Sequence, residues 1–246
     1  MRPQHIHKSM TNRVRSQRTS HIAYTIMNYR DFLQKLIYKC INPLIHGMIK
    51  VGITPNIVTT VGFLGNILAA AFFIYASQQP DLDSQTVTIG WGGFIIIASG
   101  LFDMMDGRLA RVGNMSSSFG AMWDSTLDRY SELVSLFGIV LVFLEDGDSW
   151  FWMGVVSFAA MVGSVMVSYV RARAEGLGLE CKVGFMQRPE RVVVTAVTAI
   201  ITGLTGSLWW LAGGMILIAV LANITAFWRV AYCYGKLNER DRQNRQ

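Results

Sequence analysis

Long apolar segments alternate with short polar ones along most of the chain. Most of these segments meet or approach the roughly 20 residues that a helix needs to cross a bilayer. The last two are separated only by Gly203-Leu-Thr-Gly206-Ser, a weak turn signal. The pattern predicts an all-α polytopic membrane protein with six transmembrane helices, over residues 57–76, 87–109, 119–144, 150–170, 192–208 and 209–232.

The region before the first apolar segment follows a different pattern. Residues 1–28 are basic and contain no acid, so we expect a disordered N-terminal arm and not a signal peptide. Over residues 29–50, apolar side chains recur at helical spacing with basic residues between them, which predicts an amphipathic helix lying in the membrane interface. Residues 51–235 then form the six-helix domain, and residues 236–246 a basic cytoplasmic tail.

Composition supports the membrane interpretation and narrows the possible partners. Hydrophobic residues make up 52% of the chain and charged residues only 15%, which argues against a soluble two-domain enzyme. The net charge of +6 lies largely in the tails and in alternate loops. We therefore attribute it to membrane topology and to attraction for anionic lipid, and we expect no nucleic-acid partner. Cys40, Cys181 and Cys233 lack metal-ligand spacing and are expected to be free thiols.

The charges of the loops predict an orientation. Residues 77–86 and 145–149 carry acids and no Lys or Arg, the turn between the fifth and sixth segments is uncharged, and the remaining loops are basic. The positive-inside rule then puts both termini on the cytoplasmic side of the cytoplasmic membrane. The same rule places the chemistry described next at a cytoplasmic end of the bundle.

An acid-rich stretch interrupts the second and third apolar segments. Asp103 and Asp106 are spaced i,i+3, and Asp124 and Asp128 are spaced i,i+4, so that each pair projects from one helix face. An aspartate inside a membrane helix costs about 2.5–3.5 kcal/mol on insertion scales and usually faces a partner or a wet cavity. Hard divalent cations resolve such repulsion, and Mg2+ is commonly held by carboxylates together with substrate phosphates. The stretch predicts a site for metal and phosphate.

Nearby residues leave one simpler alternative open. The acids could instead form structural ion pairs with Arg108, Arg111 and Arg129. Gly107 and Gly120 favour a ligand site, because they remove side chains beside the carboxylates and allow close approach to the backbone. Arg111 adds a fork for phosphate.

The motif D-x-x-D-G-x-x-A-R, eight residues, G-x-x-x-D-x-x-x-D resembles the signature of the CDP-alcohol phosphatidyltransferase family from Asp103 to Asp128. The resemblance implies that Asp103, Asp106 and Asp124 bind one or two divalent metals that hold the CDP diphosphate, Mg2+ first and Mn2+ as an alternative. It implies that Asp128, the fourth acid of this metal site, is the general base. It also assigns CDP binding to Gly107, Ala110, Arg111 and Gly120, and to Asn56 and Thr59 of a P-N-x-x-T segment.

A second basic segment lies between the fourth and fifth apolar segments. Y-x-x-A-R-A-E-G-x-G followed by R-P-E-R is similar to the phosphatidylinositol-phosphate synthase branch of that family, although positive-inside charge alone also explains basic residues here. The resemblance matches Ser168, Arg171, Arg191 and Arg229 to the acceptor pocket, with Arg171 where relatives often carry Lys. Such a cluster suits an acceptor that carries its own phosphate.

These residues predict a metal-dependent enzyme that transfers the phosphatidyl group of CDP-diacylglycerol to inositol 1-phosphate and releases CMP. Phosphatidylglycerol-phosphate synthase, with glycerol 3-phosphate as acceptor, and phosphatidylinositol synthase, with free inositol, remain alternatives. A membrane cation transporter is the alternative from another class, but the clustering of the acids at one membrane face and the glycines in register argue against it. The resemblance further implies a homodimer among membrane lipids.

Overall fold

The computed structural model describes residues 41–145 and 149–245. The predicted arm at 1–28 and the first part of the predicted amphipathic helix lie outside these residues. Residues 41–51 are helical, and the amides of Gly52 and Ile53 donate to the carbonyls of Ile49 and Met48 at 3.1 and 3.0 Å.

The described part of the chain is helical and contains no strand. Beyond residue 53, six helices follow one another with short connections. They are α1 Pro55–Ser77, α2 Leu82–Val112, α3 Ser118–Glu145, α4 Phe151–Gly176, α5 Arg188–Thr205 and α6 Trp209–Gln243.

Local sequence signals account for several helix ends. Proline occupies the first turn of both α1 and α5, where no intrahelical hydrogen bond is lost. Asp81 caps α2 by accepting from the Ser84 amide at 2.8 Å, and hydrogen bonds from Ser84 hold the pKa of the Asp81 carboxyl below its usual range. Gly206 ends α5 in the left-handed conformation with φ 67°, so the weak turn signal in the sequence does mark a helix end.

Helix α6 is longer than the apolar segment that predicted it. It continues to Gln243 through most of the predicted basic tail. Two contacts accompany this extension: Lys236 pairs with Glu239 at 3.5 Å, and Arg240 Nη1 donates to the Leu177 carbonyl at 3.0 Å. The second contact joins the end of α6 to the segment after α4.

Each helix packs closely against a few neighbours, mainly α1 with α2 and α3, α2 with α5, α3 with α4, and α6 with α4 and α5. Phe73, Phe143 and Met215 are fully buried at the centre of the bundle. Gly92 and Gly138 both pack on Phe73: a Cβ at either position would come within 2.8 Å of that ring or its Cβ. Small residues thus allow the close helix contacts that membrane proteins use.

The outer surface of the bundle is apolar. Leu64, Trp91, Phe158 and Ile224 are each more than half exposed, as expected for helices that face lipid. Among the described residues, four helices are long and apolar enough to cross a membrane, namely α1, α2, α4 and α6. The chain is therefore an integral membrane protein. Helices α3 and α5 are not among these four, and several of their charged residues belong to the site described next.

Candidate active site

The aspartates of the motif gather where α2 ends and α3 begins. Asp103 and Asp106 lie on α2, Asp124 and Asp128 lie on α3, and the turn at 113–117 folds the two helices back on each other. The charge of Asp103 acts on each of the other three carboxyl groups. The structure thus brings the two predicted pairs together.

Helix α1 supplies the nearest polar contact to these acids. Its first turn presents Thr59, whose hydroxyl is 2.6 Å from Asp106 Oδ2 and 3.0 Å from the Pro55 carbonyl. Thr59 and Asp106 are only 4% and 5% exposed, so this contact is shielded from water. The P-N-x-x-T segment therefore holds the second aspartate of the motif.

A cleft of about 240 Å3 opens between the start of α1, the end of α2 and the start of α3. We call it the α1–α3 cleft. Asp106 and Asp124 line it together with every residue that the resemblance assigned to CDP binding. Those residues are Asn56, Thr59, Gly107, Ala110, Arg111 and Gly120.

The two motif glycines contribute to this cleft differently. A Cβ at Gly120 would lie 3.2 Å from Asn56 Oδ1 and 3.0 Å from Ser117 Oγ, so a larger residue would press on the polar lining. A Cβ at Gly107 would meet only Arg111 Nη2, at 3.8 Å, and would otherwise enter open space. Gly107 therefore leaves room for a ligand.

Arg188, the first residue of α5, bridges the two outer aspartates. Its Nη2 lies 2.9 Å from Asp103 Oδ2 and 2.8 Å from Asp128 Oδ1. Arg129 lies farther from Asp128, at 3.8 Å, and donates instead to the Ser125 carbonyl at 2.7 Å. Arg188, which the sequence did not single out for the site, is therefore the counter-ion that Asp103 and Asp128 share.

The chemistry of these side chains fits a hard divalent cation, because the donors are carboxylate oxygens at the edge of a cleft that can admit phosphate. Within residues 41–145 and 149–245, however, no three acid, histidine or thiol groups converge on one point as a metal site. Asp103 and Asp128 are engaged by Arg188, and Asp106 by Thr59. Metal binding requires some of these side chains to reorient.

A buried ion pair lies one turn beyond Asp128. Glu132 accepts from Arg191 Nε and from Nη2, the latter at 2.8 Å, and Arg191 Nη1 donates to the Met186 carbonyl at 3.0 Å. The side chains are only 1% exposed for Arg191 and 9% for Glu132. This pair fixes the start of α5 against α3.

The other predicted acceptor residues lie between α4 and α6. Arg229 is buried and donates to the carbonyls of Val183 and Val167 at 2.8 and 2.7 Å, while Arg171 pairs with Glu175 at 2.9 Å on the surface. Ser168 directly follows Val167 on α4. The charges of Arg171 and Arg191 both act on Arg229, so the three arginines share one region.

Sequence reasoning missed Glu132 and the contacts of Arg188. Glu132 follows Asp124 and Asp128 at the same four-residue interval, which was a readable signal for a shared helix face. The R-P-E-R segment places Arg188 and Arg191 three residues apart at a helix start, which was a second signal. Neither signal reveals which acid each arginine contacts.

The fold and the site together define an integral membrane protein of packed helices with a polar site of carboxylates and arginines enclosed among them. The family model for CDP-alcohol phosphatidyltransferase matches residues 52–232. The chain belongs to this family and is a transferase.

Named relatives identify the branch. The phosphatidylinositol phosphate synthase of Mycobacteroides abscessus is 32% identical over 196 residues, which cover 78% of this chain and 82% of that protein. The archaetidylinositol phosphate synthase of Methanothermobacter thermautotrophicus is 32% identical over 188 residues, covering 76% of this chain and 87% of that protein. The predicted resemblance to the phosphatidylinositol-phosphate synthase branch is confirmed.

Solved structures agree. The Mycobacterium tuberculosis phosphatidylinositol phosphate synthase with bound CDP-DAG matches with a TM-score of 0.68 and 28% identity, covering 78% of this chain and 92% of that one. The same enzyme in complex with manganese and citrate matches with a TM-score of 0.69, over 78% of this chain and 88% of that one. A divalent metal thus occurs in a structural relative.

Proposed function

We propose that this protein transfers the phosphatidyl group of CDP-diacylglycerol to inositol 1-phosphate, giving phosphatidylinositol phosphate and CMP. One observation carries the proposal: the α1–α3 cleft is lined by the complete set of residues matched to CDP binding and borders the aspartate motif. The names of the relatives support the acceptor. Both substrates carry phosphate, which suits the arginines nearby.

The roles follow from position. Asn56, Thr59, Gly107, Ala110, Arg111 and Gly120 bind the CDP portion in the cleft. Asp103, Asp106 and Asp124, with Asp128 at the edge, hold Mg2+ or Mn2+, which neutralises diphosphate charge when bound. Asp128 accepts the proton of the acceptor hydroxyl, which attacks the phosphorus that carries the lipid as CMP leaves. Thr59 keeps Asp106 oriented through its hydrogen bond.

Ser168, Arg171, Arg191 and Arg229 form the acceptor site in this proposal. Arg191 and Arg229 are rigid because their guanidinium groups already bind a carboxylate or backbone carbonyls. Only part of each guanidinium group is therefore free for a phosphate. Because each group also binds a carbonyl of the segment 177–187, the two residues hold that segment in place as well. Arg171 is partly exposed and supplies a more accessible charge.

The same proposal places the protein in the cytoplasmic membrane with six spans, α1 to α6, and the site at the cytoplasmic end. Residues 29–50 form the interfacial helix, residues 1–28 and 236–246 the basic ends, and 51–235 the catalytic domain. Helix α6 leaves the membrane before its charged last turns. A homodimer embedded in membrane lipids completes the proposal.

The test is lipid formation by purified protein with CDP-diacylglycerol and Mg2+. Inositol 1-phosphate, free inositol and glycerol 3-phosphate are offered in parallel, and CMP release is measured in the same samples. We expect lipid only with inositol 1-phosphate, and no CMP without metal. Product from glycerol 3-phosphate would reassign the acceptor site while leaving the cleft assignment intact. Absence of CMP release with every acceptor would contradict the proposed reaction and favour the transporter.

A further inference from the structure

Arg188 binds the same carboxylates that a metal cation at the aspartate motif would bind. A single nitrogen, Nη2, contacts both Asp103 and Asp128, at 2.9 and 2.8 Å. The Arg188 side chain is 22% exposed and that of Asp128 13%, so solvent screens the contact only partly. The guanidinium thus holds two like charges together, which is also what a bound metal ion does.

The backbone beneath Arg188 is fixed by its neighbour. Arg191 lies three residues later on the same face of α5, and its fork binds Glu132. Glu132 lies one turn beyond Asp128 on α3. The first turn of α5 is therefore anchored to α3, and Arg188 can leave the aspartates only by moving its side chain.

A small cavity lies beside the Arg188 side chain. Its volume is about 30 Å3, and its lining includes Arg188, Asn66, Ser131 and Ser135. Among the described residues, the buried Nε of Arg188 and the hydroxyl of Ser135 have no hydrogen-bond partner. Both residues line this cavity, as does Asp103, so polar groups that could accept the displaced guanidinium lie beside its present position.

We propose that Arg188 is a built-in counter-ion that competes with the divalent cation, so that metal binding displaces it from Asp103 and Asp128. The inference rests on the metal site of the proposed function. In the metal-free protein, Arg188 keeps the aspartates together and stabilises the fold around them. The protein therefore remains folded without metal but binds metal less tightly than its carboxylates alone would.

The experiment measures Mn2+ affinity by electron paramagnetic resonance on detergent-purified protein. We expect Arg188→Gln to bind Mn2+ about tenfold tighter than wild type, because one competing charge has been removed. Arg129→Gln is the matched control. It removes the same charge beside Asp128, but Arg129 does not bridge Asp128 to Asp103 as Arg188 does. Its affinity should change less than about threefold, because Arg129 is farther away and more exposed.

Melting temperature gives a second readout that does not depend on activity. Metal-free Arg188→Gln should melt below wild type, and Mn2+ should raise its melting temperature by more than it raises that of wild type. If this variant cannot be purified folded, Arg188→Lys decides the question. The lysine keeps the charge but not the reach of the guanidinium, so its Mn2+ affinity should still exceed that of wild type.

The outcomes separate this inference from the proposed function. If Arg188→Gln binds Mn2+ no more tightly than wild type, the inference is overturned and the proposed function is not. The same holds for Arg188→Lys if Arg188→Gln cannot be purified folded. An equal gain in Arg129→Gln overturns it too, since the effect would then be one of general charge. If neither wild type nor Arg188→Gln binds Mn2+, the metal site itself is wrong and the inference falls with it.

Discussion

At the scale of single residues, the four motif aspartates have unequal surroundings. Asp106 faces the α1–α3 cleft and is held by Thr59, whereas Asp128 is held by Arg188 and does not line that cleft. An acid beside the α1–α3 cleft, where we propose that CDP binds, is suited to bind metal and diphosphate. An acid set back from it is better placed to meet a second substrate, which supports the role of Asp128 as base.

We expect Asp128→Asn to abolish turnover while leaving CDP-diacylglycerol binding within about threefold of wild type, because general-base catalysis contributes about 10²–10⁴-fold. Asparagine keeps an oxygen that can accept from Arg188, so the local fold should persist. The measurements are CMP release and nucleotide binding by calorimetry.

Asp83→Asn serves as the control, since Asp83 is exposed at the opposite end of α2. It should leave both measurements unchanged. Normal turnover in Asp128→Asn would remove the base assignment, and loss of nucleotide binding would show that Asp128 acts mainly by holding the metal.

The motif could be read from the sequence because its spacing is local: residues three or four apart share a helix face. The contacts of Arg188 could not, because 85 positions separate it from Asp103. Likewise Arg191 and Glu132 are 59 positions apart and meet only because the fold brings the start of α5 next to α3. Sequence also gives the charges of Arg191 and Arg229 but not the backbone carbonyls that they bind, so their burial was not foreseeable.

At the scale of helices, the contact between α2 and α5 controls the site, because α2 carries Asp103 and α5 carries Arg188. Their close approach lies farther along both helices, at Gly90 and Gly203. A Cβ on Gly203 would lie 2.6 Å from the Gly90 Cα and 3.1 Å from the Thr86 carbonyl oxygen. Both neighbours are backbone atoms, which cannot rotate away.

We therefore expect Gly203→Ala to lower the free energy of unfolding by about 1–3 kcal/mol through overpacking. Gly213→Ala on α6 is the matched control, since a Cβ there meets no heavy atom within 4 Å. Replacing that helical glycine should be neutral or stabilise by up to about 1 kcal/mol. Unfolding in mixed detergent micelles measures both variants, and equal stability of the two would show that α2 and α5 do not pack this closely.

At the scale of the whole molecule, charge and hydropathy point to one arrangement of the ends. The acidic connection between α1 and α2 and the basic connection between α4 and α5 fall on opposite sides when each of the six helices crosses the membrane. Hydropathy alone identifies four spans among the described residues. The site explains why α3 and α5 carry charges within the bundle. The acids of α3 lie near the arginines of α5 and do not face lipid; they are Asp124, Asp128 and Glu132, near Arg188 and Arg191.

Thiol labelling in intact cells tests this arrangement. With Cys40, Cys181 and Cys233 replaced by serine, single cysteines are introduced as Gln78→Cys after α1, Lys182→Cys between α4 and α5, and Asn244→Cys after α6. We expect a membrane-impermeant maleimide to label Gln78→Cys from outside, and the other two variants only after permeabilisation. The reason is the positive-inside rule, since the α4–α5 connection and the end of α6 are basic.

Labelling of Gln78→Cys and Lys182→Cys from the same side would mean that one or all three of α2, α3 and α4 do not cross the membrane. Of these three helices, α3 is the one that hydropathy does not identify as a span. That result would place α3 within the bundle without spanning, and the site would then lie elsewhere along the membrane normal. Opposite labelling, with Lys182→Cys and Asn244→Cys protected together, is the pattern that six spans require, because three helices lie between residues 78 and 182 and two between residues 182 and 244. Under the proposed function, Arg171 on α4 and Arg229 on α6 would then lie toward the cytoplasmic side, where the phosphorylated acceptor is expected to bind.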